Sequence, residues 1–175
     1  MTSAELAILS LIAEKPRYGL EIENLIEERG MREWTEVGFS SIYYLLKKLE
    51  KAGLVESHMV QEGRGPARKV YQLTPAGGQR LRAAVIEALS VPSHCYPLIQ
   101  LGLANLLGVT TDQALAALRA YRDALAERLE RVRARWESQH PLPYFVDAMF
   151  DYSLTMIQAE QAWIEKFIVQ LQRGD

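Results

Sequence analysis

Residues 39 to 74 constrain the fold most, because a short helix with separate apolar and basic sides is followed at once by a hairpin pattern. At 100° per residue, Ile42, Leu45, Leu46 and Leu49 fall on one narrow stripe. The opposite side carries polar and basic residues, namely Ser40, Tyr44, Lys47, Lys48 and Lys51. The pattern predicts a helix over residues 39 to 52 that packs one side on a core and presents the other to a polyanion.

Glycine and proline divide the chain after this helix. Gly53 is expected to end the helix, since glycine readily adopts the left-handed conformation found there. Residues 54 to 61 and 69 to 73 favour β-strands and flank a long turn that carries Arg64 and Arg68. Thr74 and Pro75 then predict a new helix, with threonine as N-cap and proline at the first helical position.

Two more helices are predicted upstream. One covers residues 2 to 13 with Ser3 as its N-cap, and the other opens at residues 16 to 19 with Tyr18, Ile22, Leu25 and Ile26 on one face. Three helices and a β-hairpin wing make a winged helix-turn-helix, which we assign to residues 1–90. The fold class is therefore mainly α.

The local charge agrees with a nucleic-acid partner, although the whole chain has a net charge of −2. Residues 39 to 72 hold six basic side chains against three acidic ones. A dimer would double this local excess, and phosphates respond to the local charge. The expected partner is double-stranded DNA.

The second half, residues 91–175, is predicted to be an all-helical dimerisation region. A long helix from Thr111 or Asp112 to residue 138 carries a single apolar stripe at helical spacing. The last helix, from residue 144 to 172, carries two. The first stripe contains Phe145, Met149, Tyr152, Met156, Ala159, Trp163 and Phe167, and the second contains Phe150, Leu154, Ile157, Ile164, Ile168 and Leu171.

A helix that is apolar over so wide an arc contacts more than one neighbour. We expect the second stripe to meet another copy of the chain, although the sequence leaves open which stripe faces the partner. The predicted homodimer interface contains Tyr152, Met156, Trp163, Ile164, Phe167, Ile168 and Leu171.

Several of these segments resemble the PadR family of bacterial transcriptional regulators. Residues 18 to 22 (YGLEI) resemble the family's second-helix signature, residues 41 to 50 its recognition helix, and residues 53 to 55 with 68 to 74 and Gly77 its wing. Residues 159 to 164 (AEQAWI) resemble its late tryptophan-containing segment. The chain departs from the family at Ser40-Ser41, where Gly-Thr is common, and at Tyr44, where proline is common, so an operator sequence does not carry over.

The resemblance implies a sequence-specific DNA-binding regulator, namely a homodimeric repressor that binds a near-palindromic operator and is released by a small-molecule effector. Ser40, Ser41, Tyr43, Tyr44 and Lys47 are our candidates for base edges. Lys48, Lys51, Arg64, Arg68 and Lys69 are our candidates for phosphates. Arg17 and Tyr18 are further candidates for a phosphate contact, with packing in the core as the alternative for Tyr18.

An enzyme and a metalloprotein are both disfavoured by spacing. His94 and Cys95 are adjacent and would point about 100° apart on a helix, and no set of ligands recurs at metal-site intervals. We expect no cofactor, no metal and no catalytic residue. The lack of a secretory leader or a long apolar run predicts a cytoplasmic protein without a membrane segment. The alternative function is that of an adaptor whose winged helix contacts protein instead of DNA.

Overall fold

The computed structural model describes residues 1–35, 37–38, 42–61, 66–92 and 96–174, which form two compact units, Met1–His94 and Cys95–Asp175. The first unit contains helices α1 (Ser3–Glu14), α2 (Gly19–Glu28), α3 (Ile42–Lys51) and α4 (Pro75–Ser90). It also contains strands β1 (Arg17–Tyr18), β2 (Val55–Val60) and β3 (Arg68–Leu73). The mainly α fold class and the winged helix-turn-helix arrangement of this half are confirmed.

The core of the first unit lies between α1, α2, α3 and the base of the hairpin. Aliphatic side chains at helical spacing are completely or almost completely buried there. They include Ile8, Leu9, Leu11, Ile12, Ile22, Ile26, Ile42, Leu46, Leu49 and Val55. The predicted apolar stripe of α3 is therefore the side of that helix that enters the core.

Local sequence fixes the helix ends. Thr2, one residue before the predicted Ser3, caps α1 by accepting a hydrogen bond from the Glu5 amide, and the Glu5 carboxylate accepts one from the Thr2 amide. Thr74 caps α4 as predicted, with Pro75 at its first position. Gly53 follows α3 with a φ of 69°, a backbone angle that residues with a side chain rarely adopt.

The sheet has three antiparallel strands in the order β1-β3-β2. In the hairpin, Val55 faces Leu73 and Val60 faces Arg68. The first strand was not predicted, because residues 17 and 18 were expected to open the second helix. These residues instead pair with Tyr71 and Val70 and satisfy the free edge of β3, so that α2 begins at Gly19.

The second unit contains helices α5 (Leu98–Ala104), α6 (Thr111–Ser138) and α7 (Tyr144–Arg173). Thr110 caps α6, immediately before the residues expected to do so. The two long helices pack along their length, and the core between them contains Leu115, Leu118, Leu125, Ile157, Ile164 and Ile168. Two polar contacts accompany it: the Tyr121 hydroxyl donates to Glu160 at 2.6 Å, and the Trp136 indole donates to Asp147 at 2.7 Å.

Among the described helices, none combines the length and the hydrophobicity that a membrane crossing requires.

Candidate nucleic-acid interface

The outer side of α3 carries aromatic and basic side chains. Ile42, Leu45, Leu46 and Leu49 bury the inner side of the helix. On the outer side, Tyr43 is 53% exposed and Tyr44 is 67% exposed, and exposed Lys47 and Lys51 belong to the same helix. A helix buried on one side and polar, aromatic and cationic on the other has the composition that major-groove readers use.

Tyr43 is held by the start of the preceding helix. A Cβ atom added to Gly19 would lie 2.5 Å from Cε1 of Tyr43 and 3.0 Å from its Cζ, so the tyrosine ring lies directly on the Gly19 backbone. Only glycine leaves room for the ring in this position. The two predicted roles of Tyr43, packing and DNA contact, are therefore compatible, because one part of the ring packs on Gly19 while half of the side chain remains exposed.

The wing, by which we mean strands β2 and β3, contributes further cations. The guanidinium carbon of Arg68 lies 4.7 Å from the centre of the Tyr18 ring, and the Lys69 ammonium lies 5.1 Å from the centre of the Tyr71 ring. Both distances fit a cation–π contact. Tyr18 thus orients a wing cation from outside the wing, at the wall of a cavity of about 420 Å³ that Arg68 also lines.

Two of the lysines predicted to contact phosphates are paired with carboxylates of the chain. The Lys48 ammonium lies 2.6 Å from Glu5 of α1, and the Lys69 ammonium lies 2.8 Å from Glu50 of α3. The Lys48 ammonium and then the Thr2 amide hold the pKa of the buried Glu5 carboxyl below its usual value. Lys48 and Lys69 are therefore engaged inside the protein, whereas Lys47 and Lys51 form no ion pair with a carboxylate among the described residues.

Comparison with known proteins identifies the family. The model of the transcriptional regulator PadR-like family matches residues 8–83. An uncharacterised protein of Lysinibacillus sphaericus is 34% identical over 80 residues, which is 46% of this chain and 72% of that protein. The chain belongs to the PadR-like family of transcriptional regulators.

Solved structures of PadR-like proteins share the fold of the whole chain. Bacillus subtilis PadR in complex with operator DNA has a TM-score of 0.77 and 20% identity, over 95% of this chain and 98% of that one. Bacillus subtilis PadR in complex with p-coumaric acid has a TM-score of 0.79 and 19% identity, over 97% and 99%. At these identities the likeness establishes the fold, and the family match carries the role of transcriptional regulator.

Arg17, which was predicted to contact DNA, lies in the interior of this PadR-like regulator. Arg17 is only 6% exposed. Its Nε donates to the Leu11 carbonyl at 2.9 Å, and its guanidinium also binds Glu14 at 2.6 Å. Because Leu11 lies in the last turn of α1, where carbonyl groups lack a helical partner, Arg17 satisfies the end of that helix. The assignment of Arg17 to a phosphate is corrected accordingly.

Glu14 also joins α1 to α2. It accepts two hydrogen bonds from the Arg29 guanidinium, one of them at 2.9 Å, in addition to the bond from Arg17. Arg29 first, and Arg17 after it, hold the pKa of the Glu14 carboxyl below its usual value. The sequence pattern does not reveal this three-residue group, because its members are distributed over three elements.

Three other predicted DNA residues, Ser40, Ser41 and Arg64, lie outside the described residues. The described candidates on α3 or the wing that are exposed and not paired with a carboxylate of the described residues are Tyr43, Tyr44, Lys47, Lys51 and Arg68, whereas Lys48 and Lys69 are exposed but paired.

In the second unit, the structure distinguishes the two stripes of α7. The second stripe packs on α6 within the chain: Ile164 is completely buried and Ile168 almost completely. Phe167 and Leu171 are partly buried against the same core. Ile164 and Ile168 are thus intrachain core residues and do not form a surface for a partner, which corrects their assignment. Tyr152, Met156 and Trp163 of the first stripe are exposed.

Proposed function

We propose that this PadR-like regulator is a cytoplasmic, homodimeric repressor that binds a near-palindromic operator in duplex DNA. The observation that carries the proposal is the outer side of α3, where Tyr43, Tyr44 and Lys47 are exposed on a helix whose inner side is sealed in the core. The fold shared with Bacillus subtilis PadR, which has been captured with operator DNA, supports the same partner.

In the proposed complex, two copies of α3 enter successive major grooves on one side of the duplex. Half-sites are then about one turn, roughly 10 base pairs, apart. Tyr43, Tyr44 and Lys47 contact base edges, while Lys51 and Arg68 contact phosphates and set the register. Ser40, Ser41 and Arg64 remain predicted DNA contacts from the sequence.

A second copy of the chain is proposed to cover the first stripe of α7. Tyr152 is 68% exposed, Met156 and Trp163 are about half exposed, and the Trp163 and Phe167 rings stack with centres 5.3 Å apart. Solvent-exposed aromatic and methionine side chains in this density are typical of an interface. Trp163→Glu should shift sedimentation towards the monomer, whereas Gln158→Glu, which adds the same charge on another side of α7, should not.

We further propose that a small molecule regulates DNA binding by binding the operator-bound and free states unequally. The complex of Bacillus subtilis PadR with p-coumaric acid supports this form of regulation. That compound is therefore the first probe, added to a preformed complex with DNA.

Selection of bound duplexes from random DNA, followed by gel-shift titration, tests the proposed function. We expect a near-palindromic sequence and a shift that weakens steeply with salt. Lys47→Ala and Arg68→Ala should both weaken the shift. Failure to enrich any sequence, together with a salt-insensitive interaction, would instead indicate a winged-helix adaptor that binds protein.

A further inference from the structure

Glu50, in the last turn of α3, contacts both strands of the wing. Its carboxylate accepts a hydrogen bond from the Ser57 hydroxyl of β2. Its other oxygen accepts one from the Lys69 ammonium of β3 at 2.8 Å. One side chain of the recognition helix therefore binds β2 and β3 together.

These contacts lie at the boundary of the part of the wing that the core holds, because Ser57 pairs with Tyr71 and Lys69 pairs with Met59. Val55 and Tyr71 are buried, whereas Met59, which pairs with Lys69, is exposed. The other edge of β3 is fixed by its pairing with Arg17 and Tyr18. Without Glu50, β3 would keep its pairing with β1, but the hairpin would lose this polar connection to α3.

Glu50 is charged at neutral pH. The Lys69 ammonium, and after it the Ser57 hydroxyl, holds the pKa of the Glu50 carboxyl below its usual value. An acidic side chain on the recognition helix opposes DNA binding by its charge alone. Its presence on this helix therefore requires a benefit other than attraction to phosphates.

We infer that Glu50 is a positioning residue that fixes the wing relative to α3 and thereby determines operator specificity. The inference rests on the proposed function. Wing contacts to phosphates set the register of the protein, while α3 reads the bases. If the wing is held at one position, its phosphate contacts and the base contacts of Tyr43 and Lys47 form together only on the correct sequence.

The chain offers a matched control on the same hairpin. Glu56 of β2 accepts a hydrogen bond from Gln72 of β3 at 2.6 Å, so its contact stays within the wing. Glu56→Gln and Glu50→Gln remove the same charge, but only Glu50→Gln releases the wing from α3. Lys69→Met removes the other partner of the ion pair.

The experiment measures affinity for the selected operator and for a random duplex at one salt concentration, with the melting temperature of each variant recorded. Glu50→Gln should lower the ratio of operator to random affinity by about fivefold or more, the discrimination that one base contact carries. Glu56→Gln should leave the ratio unchanged. In the Lys69→Met background, Glu50→Gln should lower the ratio by less than it does in the wild type, because only the contact with Ser57 is left to lose.

Equal gains in affinity for both duplexes, produced alike by Glu50→Gln and Glu56→Gln, would overturn the inference, because Glu50 would then act only through its charge. A fall in the ratio that occurs only together with a large loss of melting temperature would overturn it as well. If the unmodified chain selects no sequence, the proposed function fails first. If it selects an operator and the Glu50→Gln ratio is unchanged, only the inference about Glu50 fails.

Discussion

Adjacent lysines on α3 should contribute very differently to the salt dependence of DNA binding. Lys47 is exposed and pairs with no carboxylate among the described residues. The Lys48 ammonium is held 2.6 Å from the buried carboxylate of Glu5. Condensed counterions are released from the DNA only by protein cations that reach it. We therefore expect Lys47→Ala to reduce the salt dependence and Lys48→Ala to leave it unchanged.

The size of the effect follows from the dimer. Lys47→Ala removes one cation in the major groove from each of two protomers, and each cation that reaches the DNA contributes about 0.9 to the slope of log affinity against log salt, so the slope should become less steep by about 1.8. Between about 50 and 200 mM salt, the advantage of the wild type over Lys47→Ala should then shrink by about twelvefold. For Lys48→Ala the slope should agree with the wild type within about 0.3.

Fluorescence anisotropy with the selected operator, repeated over a series of salt concentrations, measures these slopes. Thermal unfolding provides the complementary readout, because Lys48→Ala leaves the buried Glu5 carboxylate without its cation and should lower the melting temperature. Equal changes of slope for the two variants would refute the reasoning, since the pair with Glu5 would then not withhold Lys48 from the DNA.

Three further predictions concern other contacts. A Cβ at Gly77 would lie 1.9 Å from the Leu54 carbonyl oxygen, whereas one at Gly78 would meet only Leu73 at 3.7 Å. Gly77→Ala should therefore lower the free energy of unfolding by about 3 kcal/mol, and Gly78→Ala should raise it by up to about 1 kcal/mol; similar urea midpoints for the two would contradict this.

Gly19→Ala should displace the Tyr43 ring and weaken operator binding by about fivefold. In a Tyr43→Ala background, the same change should weaken operator binding little further. If the losses of affinity from the two changes are additive, the contact between Gly19 and Tyr43 does not matter for binding. The hydrogen bond to Glu160, more than burial, raises the pKa of Tyr121 to about 12, above the value of about 10 expected in the unfolded chain. The free energy of unfolding of the wild type should therefore exceed that of Tyr121→Phe by its full amount below pH 10, and this excess should be lost as the pH rises through 12. An excess that is constant across this pH range would refute the assignment of the hydrogen bond.

Local sequence was sufficient to predict most of the first unit. The apolar spacing of Ile42, Leu45, Leu46 and Leu49 predicted which side of α3 is buried. Gly53 and the Thr74-Pro75 pair predicted where helices end and begin. These features depend on interactions between residues less than about two turns apart, and so the sequence contains them directly.

Long-range partners could not be predicted in the same way. The strand formed by Arg17 and Tyr18 exists because the edge of β3 needs partners, and those partners come from a segment about fifty residues earlier in the sequence. For the same reason, the sequence could not reveal that Lys48 and Lys69 are paired with Glu5 and Glu50. A lysine on an exposed helix face has the same sequence pattern whether its ammonium reaches a phosphate or a carboxylate.

By itself, the sequence determined the winged helix, the basic surface of its third helix and the helical character of the second half, because periodicity, capping residues and local charge are properties of short segments. Only the tertiary structure decided which stripe of α7 is internal. Both stripes have helical spacing, so periodicity does not distinguish them, but Ile164 and Ile168 pack on α6 while Tyr152 and Trp163 stay exposed. The choice depends on the side chains of a separate helix, including the match of Tyr121 with Glu160, and that complementarity exists only after the two helices have come together.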